Sequence, residues 1–304
     1  MARRLFSAAR PKFFPASVLP VLAGTAWGFQ AAGSFDFAVF ILALFATVCV
    51  HAASNVLNDV GDESGGTDQQ NVDRIYPYTG GSRFIQQGIM SQTEMARWGM
   101  TLLALAAIAG LVLIYLKGAM VLYFGLAGVA LAVLYSLGPF RLASLGIGEI
   151  AVGAGFGLVP VVGAAWLQGA EITLPLVLFS LPVSAWVAAI VLINEVPDLN
   201  ADGDTGKRTW PVRFGLNATS VIYLFLHLGA AIVTGWLTFT GSLPLLAPVV
   251  PVVLLVLAIK ASLAIRAGIE DRAAMTKGIE GTLAIHTIGS IWLAGCLLYL
   301  HWWG

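Results

Sequence analysis

The chain has 304 residues, of which 58% are hydrophobic and only 11% charged, with 16 basic and 16 acidic side chains and no net charge. Its mean hydropathy is +0.86. Soluble domains carry roughly 25% charged residues, so the composition excludes a soluble globular fold and describes an integral membrane protein. Cys49 and Cys296 both fall inside apolar stretches, which excludes a disulfide framework or a zinc site. Nothing points to nucleic acid or to an obligate protein partner.

Crossing a hydrocarbon core about 30 Å thick takes about 20 apolar residues. Stretches of that length recur along the sequence at about 13–31, 37–57, 98–116, 118–138, 146–167, 172–194, 219–239, 244–264 and 279–300. The pattern predicts one all-α membrane domain over 1–304, with about nine transmembrane helices around a central cavity and cytoplasmic loops capping it. The first stretch carries Pro15 and Pro20 and lacks a small-residue cleavage site, so it reads as a retained helix and not a signal peptide.

Basic residues set the orientation, because cytoplasmic loops are enriched in Lys and Arg. With the N-terminus inside and the sides alternating, the cytoplasmic segments receive Arg3, Arg4, Arg10, Lys12, Arg74, Arg83, Arg97, Arg141, Lys207, Arg208, Arg213, Lys260, Arg266, Arg272 and Lys277. Lys117 alone falls outside. The expected location is the inner cell membrane, multi-pass, with a cytoplasmic N-terminus and an exterior C-terminus. The longest polar stretches, 58–97 and 197–218, then both lie inside.

Half of the acidic residues sit in two clusters where those stretches begin, 55–68 and 194–208, four in each. The first group is Asp59, Asp62, Glu63 and Asp68, and the second is Glu195, Asp198, Asp202 and Asp204. Each follows the end of an apolar span, where an ionised carboxylate is costly unless solvated, paired or bound to a cation. Asn55 with Asp59, Asn58 with Asp62, and Asp198 with Asp202 are each four apart, a spacing that stacks both members on one helical face. Gly61, Gly65 and Gly66 let the first segment turn back and carry Asp68 toward the same point. Asn194 opens the second cluster and Gly206 closes it. Two facing sets of oxygen ligands suit Mg²⁺, which usually completes its shell with substrate phosphates. Helix caps and solvated loops are the plainer reading of either cluster alone; two clusters on one membrane face favour the metal site.

Cations interleave with the acids. Arg10 precedes the first span, Arg74 and Arg83 follow the first cluster, and Lys207 and Arg208 lie within the second. Such donors stabilise charge on a departing diphosphate. Gly146, Gly148 and Ala151 imitate a dinucleotide fingerprint, but no strand precedes them. With Gly153, Gly155, Gly157 and Gly163 they read as close helix packing. Glu149 either caps a helix or faces the cavity. His51, on the face of Asp59, either lines the cavity or bonds between helices. Trp302 and Trp303 fit an outer aromatic belt.

At these motifs the sequence resembles the UbiA superfamily of intramembrane prenyltransferases, over nearly its whole length, and within it the 1,4-dihydroxy-2-naphthoate polyprenyltransferase branch. The resemblance rests on Arg10-Pro11-Lys12 leading into Pro15 and the run 21–25, on Asn58-Asp59-x-Gly61-Asp62 through Asp68, on Tyr135 through Gly148-Glu149, and on Asp198-x₃-Asp202 with Gly206-Lys207-Arg208-Thr209. It implies that Asn58, Asp62 and Asp68 form one Mg²⁺–diphosphate motif and Asp198 and Asp202 the other. It further implies that Lys207 and Arg10 contact diphosphate, and that Tyr135 and Arg141 lie near the reacting carbon or the leaving group. The implied reaction is Mg²⁺-dependent transfer of a polyprenyl group from polyprenyl diphosphate to an aromatic acceptor. That acceptor would be 1,4-dihydroxy-2-naphthoate, with Arg141 after the Gly138-Pro139 break as the cation for its carboxylate. Many relatives have a further acid where this chain has Gly66, a position for which Asp68 substitutes. The segment 78–83 matches only part of the branch, which leaves 4-hydroxybenzoate, homogentisate and a chlorophyllide as alternative acceptors. A polyprenyl diphosphate phosphatase would share the acidic clusters, whereas a secondary transporter would carry its acids nearer mid-membrane.

Overall fold

A computed structural model of the chain describes residues 2–136 and 141–303, and every regular element among them is helical. In chain order these are α1 (Ala2–Ala8), α2 (Pro15–Ala32), α3 (Phe37–Gly65), α4 (Thr67–Gln70), α5 (Gln92–Lys117), α6 (Met120–Ser136), α7 (Gly148–Gly153), α8 (Val159–Leu167), α9 (Leu174–Asn194), α10 (Leu199–Asp204), α11 (Trp210–Phe239), α12 (Val249–Ala267) and α13 (Arg272–Trp303). A π-helical stretch, Ala154–Leu158, joins α7 to α8, and a 3₁₀ turn, Gly268–Asp271, joins α12 to α13. The Gly138-Pro139 break expected after α6 lies outside the described residues.

Among the described residues six apolar segments are long enough to cross a membrane: Phe37–Gly65, Gln92–Lys117, Gly148–Leu167, Leu174–Asn194, Trp210–Phe239 and Val249–Trp303, the last containing both α12 and α13. The protein is a multi-pass membrane protein. Helices also occupy the other two expected stretches, as α2 and α6, at 18 and 17 residues.

Local chemistry sets the ends. Asp36 caps α3 by accepting from the Val39 amide at 3.1 Å, and Ser91 with Glu94 forms a capping box at the start of α5. That box starts α5 at residue 92, earlier than the apolar run at 98. At its other end α3 continues past the expected residue 57 to Gly65. Hydropathy falls there because the extra turns carry site residues, and the helix itself does not stop. In α11 the chain breaks at Gly215 (φ 73), separating a short first turn, 210–214, from the apolar length expected at 219–239.

α9 is the hub, with Phe179, Trp186, Leu192 and Ile193 fully buried among its neighbours. The expected small-residue packing is present: a Cβ on Gly157 would stand 2.4 Å from the Ser184 backbone of α9. On the outside, α12 exposes Val252, Val253, Val256, Ile259 and Leu263, each more than half accessible. Aliphatic surface of that extent is expected where lipid is the solvent.

Candidate active site

Helical periodicity aligns the first motif. His51, Asn55, Asn58 and Asp62 recur along one face of α3, and all four line a single cavity of about 180 Å³. Gly66, at φ 78, ends the helix in a conformation that costs glycine little. The chain therefore folds back at once and buries Asp68 against the same cavity. From the second motif, Asn194 ends α9, Glu195 follows, and Asp198 starts α10. The Asp202 amide donates to the Asp198 carbonyl at 2.8 Å, so the two acids do stand one turn apart.

Three links tie the two acidic loops together. Asn71 Nδ2 donates to Asp198 Oδ1 at 2.6 Å, the Thr67 and Thr205 hydroxyls meet at 3.0 Å, and Lys207 Nζ donates to Asp62 Oδ1 at 2.5 Å while lying 3.5 Å from Asp202. The lining includes Asp62, Asp68, Glu195, Asp198 and Asp202, but only Arg10 and Lys207 as fixed cations. Five carboxyl groups against two cations leave an enclosed excess of negative charge. Burial, with Asp62 adding to it, pushes the Asp68 carboxyl up to about 6, and burial with Asp198 and Asp62 pushes Asp202 up to about 7. Burial likewise raises Asp198, and burial with Glu149 raises Glu195 well above the carboxylate range. At Lys207, burial opposes the charged form but is outweighed by Asp62 and Asp202, so the ammonium is held above its usual value. Burial pulls Arg10 down, against the attraction of Asp68, Asp62 and Asp198.

The donors fit a hard divalent cation. At the acidic end they are carboxylate and amide oxygens, the ligands Mg²⁺ takes. The buried Asn194 Oδ1 and Glu195 Oε2 have no hydrogen-bond partner. No three acids among the described residues already converge as a metal cage.

Several predicted residues stand elsewhere. Asp59 does not line the cavity: it is 2% exposed, paired with Arg10, and accepts from the amide and hydroxyl of Ser82. It fixes Arg10 and the loop, and Arg10 does line the cavity. Arg83 reaches the Asp68 and Asn71 carbonyls, bracing that loop from behind. Arg74 lies over the Tyr76 ring, 5.7 Å from its centroid, outside the cavity. Arg208 is exposed, its amide bonded to the Ser144 carbonyl. Glu149 resolves toward capping, since its Oε1 accepts from the Trp210 amide at 2.7 Å at the start of α11. Arg141 is exposed and lines an adjoining pocket of about 170 Å³ that shares Asn58, Asp62, Tyr135 and Lys207 with the main cavity. Tyr135 thus borders both.

Asn71, Tyr78 and Thr79 also line the cavity and were not singled out in the sequence. Asn71 follows Asp68 by three residues, a polar spacing that was legible. Tyr78 was not, because its place depends on remote partners: its hydroxyl donates to Glu280 at 2.8 Å and Lys12 Nζ lies 3.7 Å from its ring centroid. Away from the acids the lining turns apolar, with Phe13, Ala16, Val152, Phe156, Val187 and Ile190.

Comparison with known proteins identifies the family. The profile of the UbiA prenyltransferase family matches residues 17–277. The 1,4-dihydroxy-2-naphthoate octaprenyltransferase of Haemophilus influenzae is 30% identical over 265 residues, covering 79% of this chain and 82% of that protein. The enzyme of the same name from Mycobacterium tuberculosis is 32% identical over 265 residues, 86% of each chain. Among solved structures, a UbiA homologue from Aeropyrum pernix superposes with a TM-score of 0.67 at 19% identity over 90% of this chain and 96% of that one. One from Archaeoglobus fulgidus, bound to DMAPP and Mg²⁺, gives 0.64 at 15% identity over 95% and 98%. The acidic cavity and the matched length agree: this chain belongs to the UbiA prenyltransferase family, is a prenyltransferase, and is most like its 1,4-dihydroxy-2-naphthoate octaprenyltransferase members.

Proposed function

We propose that the protein transfers a polyprenyl group from polyprenyl diphosphate to 1,4-dihydroxy-2-naphthoate in a Mg²⁺-dependent reaction of menaquinone biosynthesis. The observation that carries this reading is the enclosed cavity itself, in which five carboxyl groups oppose two cations at one end and apolar side chains line the other. The excess negative charge calls for a divalent ion, and the apolar end suits an allylic chain and an aromatic ring. Relatives named for naphthoate prenylation, at 30–32% identity, support the acceptor.

Asp62, Asp68, Asp198 and Asp202, with Asn58, would hold Mg²⁺, which when bound neutralises diphosphate charge as the leaving group departs. Lys207 and Arg10 supply fixed donors to the outer diphosphate oxygens. Tyr135, between the two pockets, borders the point where the allylic carbon is released. The apolar side chains keep water from the cation long enough for the ring to attack it and form the C–C bond. Loss of CO₂ from the naphthoate would complete the substitution. Arg141, in the adjoining pocket, suits the acceptor's carboxylate at entry.

The same reading takes the chain as one domain with nine crossings in the inner membrane, its N-terminus cytoplasmic. The test is a competition assay on purified protein, offering one polyprenyl diphosphate with the naphthoate, 4-hydroxybenzoate and homogentisate, with and without EDTA. Preferred, EDTA-sensitive prenylation of the naphthoate is expected, together with its abolition in Asp62→Ala and Asp198→Ala. Preference for 4-hydroxybenzoate would overturn the acceptor, and phosphate release without any prenylated ring would overturn the reaction.

A further inference from the structure

His51 projects from α3 two turns inward of Asn58, about 10 Å along the helix at about 1.5 Å per residue. It is 5% exposed and lines the cavity. Its ring is held from both sides, with Phe14 at 5.6 Å and Phe156 at 4.6 Å between centroids. Nδ1 lies 2.9 Å from the Ser17 hydroxyl.

That hydroxyl has one proton, and its Oγ stands 3.0 Å from the Phe14 carbonyl, the helical back-bond to which we assign it. Toward the imidazole it therefore only accepts, which puts the ring proton on Nδ1 and leaves a lone pair on Nε2. Among the described residues nothing bonds Nε2. The lining it shares includes the apolar Phe13, Ala16, Val152 and Phe156, with Ser54 and Asn55 as polar neighbours along α3 and the Arg10 cation. A polyprenyl chain has no hydrogen to give such an atom. A hydroxylated ring does.

We propose that Nε2 of His51 accepts a hydrogen bond from a ring hydroxyl of the aromatic acceptor and so selects hydroxyaromatic substrates. The inference rests on the prenyl transfer proposed above. The separation of His51 from Asn58 leaves room for a bicyclic ring between Nε2 and the carbon leaving diphosphate. The Ser17 bond and the two phenyl rings fix the tautomer and the orientation before substrate arrives, so the acceptor meets a preorganised partner. A phenol that loses this partner is buried unpaired, which costs about ten- to a hundredfold in affinity.

The experiment compares His51→Asn and His51→Gln with the unaltered enzyme, measuring KM for each substrate separately. Asn keeps an N–H for Ser17 and deletes the acceptor facing the cavity. Gln carries its carbonyl oxygen to about the place of Nε2. The expected result is a naphthoate KM raised about ten- to a hundredfold in His51→Asn, largely recovered in His51→Gln, with the polyprenyl diphosphate KM and thermal melting unchanged. Competitive inhibition by the naphthoate's methyl ethers supplies a readout that needs no variant: methylating one hydroxyl weakens inhibition of the unaltered enzyme by the same factor, and adds nothing in His51→Asn. Equal rises in both KM values, or no discrimination against either ether, overturn the proposal. Should the unaltered enzyme prenylate a different phenol, the naphthoate reading falls and the same comparisons are made with that phenol. Should it prenylate no hydroxyaromatic compound, both readings fall.

Discussion

Lys207 stands where a metal ion would be useful. Its ammonium lies 2.5 Å from Asp62 and 3.5 Å from Asp202, with only 16%, 16% and 5% of the three side chains exposed. Replacing it with methionine keeps the length and removes the charge. The cavity then holds five carboxyl groups against Arg10 alone. Breaking a buried pair by deleting one partner costs about 3–5 kcal/mol, because the other charge is left uncompensated. Residual solvent at Lys207 and Asp62 puts the expectation near the lower figure. A divalent cation between the same two carboxylates replaces what was lost, so the stability deficit depends on metal. In EDTA, Lys207→Met is expected to melt several degrees below the unaltered protein in detergent, and in saturating Mg²⁺ the gap should narrow by more than half. Turnover should not recover in parallel: removing one preorganised donor to a departing anion costs about 10²–10³ in kcat. Equal losses of stability with and without Mg²⁺ would refute the idea that lysine and metal share one acidic pair.

The fold was legible because its signal is long. Each apolar stretch needed only length and hydropathy to be found, and a helix occupies every one of them. The ends were less so: α3 runs eight residues beyond its apolar part, since Asn58, Asp59 and Asp62 lower hydropathy without breaking the helix. The acidic motifs were legible as spacing, four residues apart on one face. Their division of labour was not. Asp59 and Asp62 look equivalent in sequence, yet Asp59 follows Asn58 by one residue, about 100° round the helix from it and off the face that Asn55, Asn58 and Asp62 share. Asp62 therefore meets the cavity and Lys207, while Asp59 meets Arg10 and Ser82. Arg83 and Arg74 carried charge suited to a diphosphate site and Glu149 stood at a span entrance, but their partners are carbonyls, a tyrosine ring and an amide. Such pairings form between segments far apart in the chain, and no local pattern encodes them. Tyr78 was passed over for the same reason, since Glu280 lies 202 residues away.

Stability should depend on pH in a defined sense. Asp68 and Asp202 are pushed up from 3.8 to about 6 and about 7, so between about pH 4 and 7 the folded state binds more protons than the unfolded one and stability falls as pH rises. Metal-free protein is expected to melt lower at about pH 8 than at about pH 6, and a higher melting point at the alkaline end would contradict the assignment. For topology, a reporter fused at the C-terminal end should be active only as an exported enzyme; activity of a cytoplasm-dependent reporter there would break the nine-crossing scheme. The narrowest test concerns Gly81 and Gly88, both at positive φ, 69 and 65. Alanine carries the same backbone strain at either, about 1–2 kcal/mol, so both variants should lose that much stability, and Gly81→Ala the cost of displacing Asp68 besides. They differ in surroundings. A Cβ on Gly81 would stand 2.6 Å from Asp68 Oδ2 and 3.0 Å from Asp59 Oδ1, whereas one on Gly88 meets nothing within 4 Å. Gly81→Ala therefore has to push Asp68 out of place and should lower kcat tenfold or more, by about 1.4 kcal/mol of barrier. Gly88→Ala should leave kcat unchanged. Equal activity in the two would mean that the position of Asp68 does not matter to the chemistry.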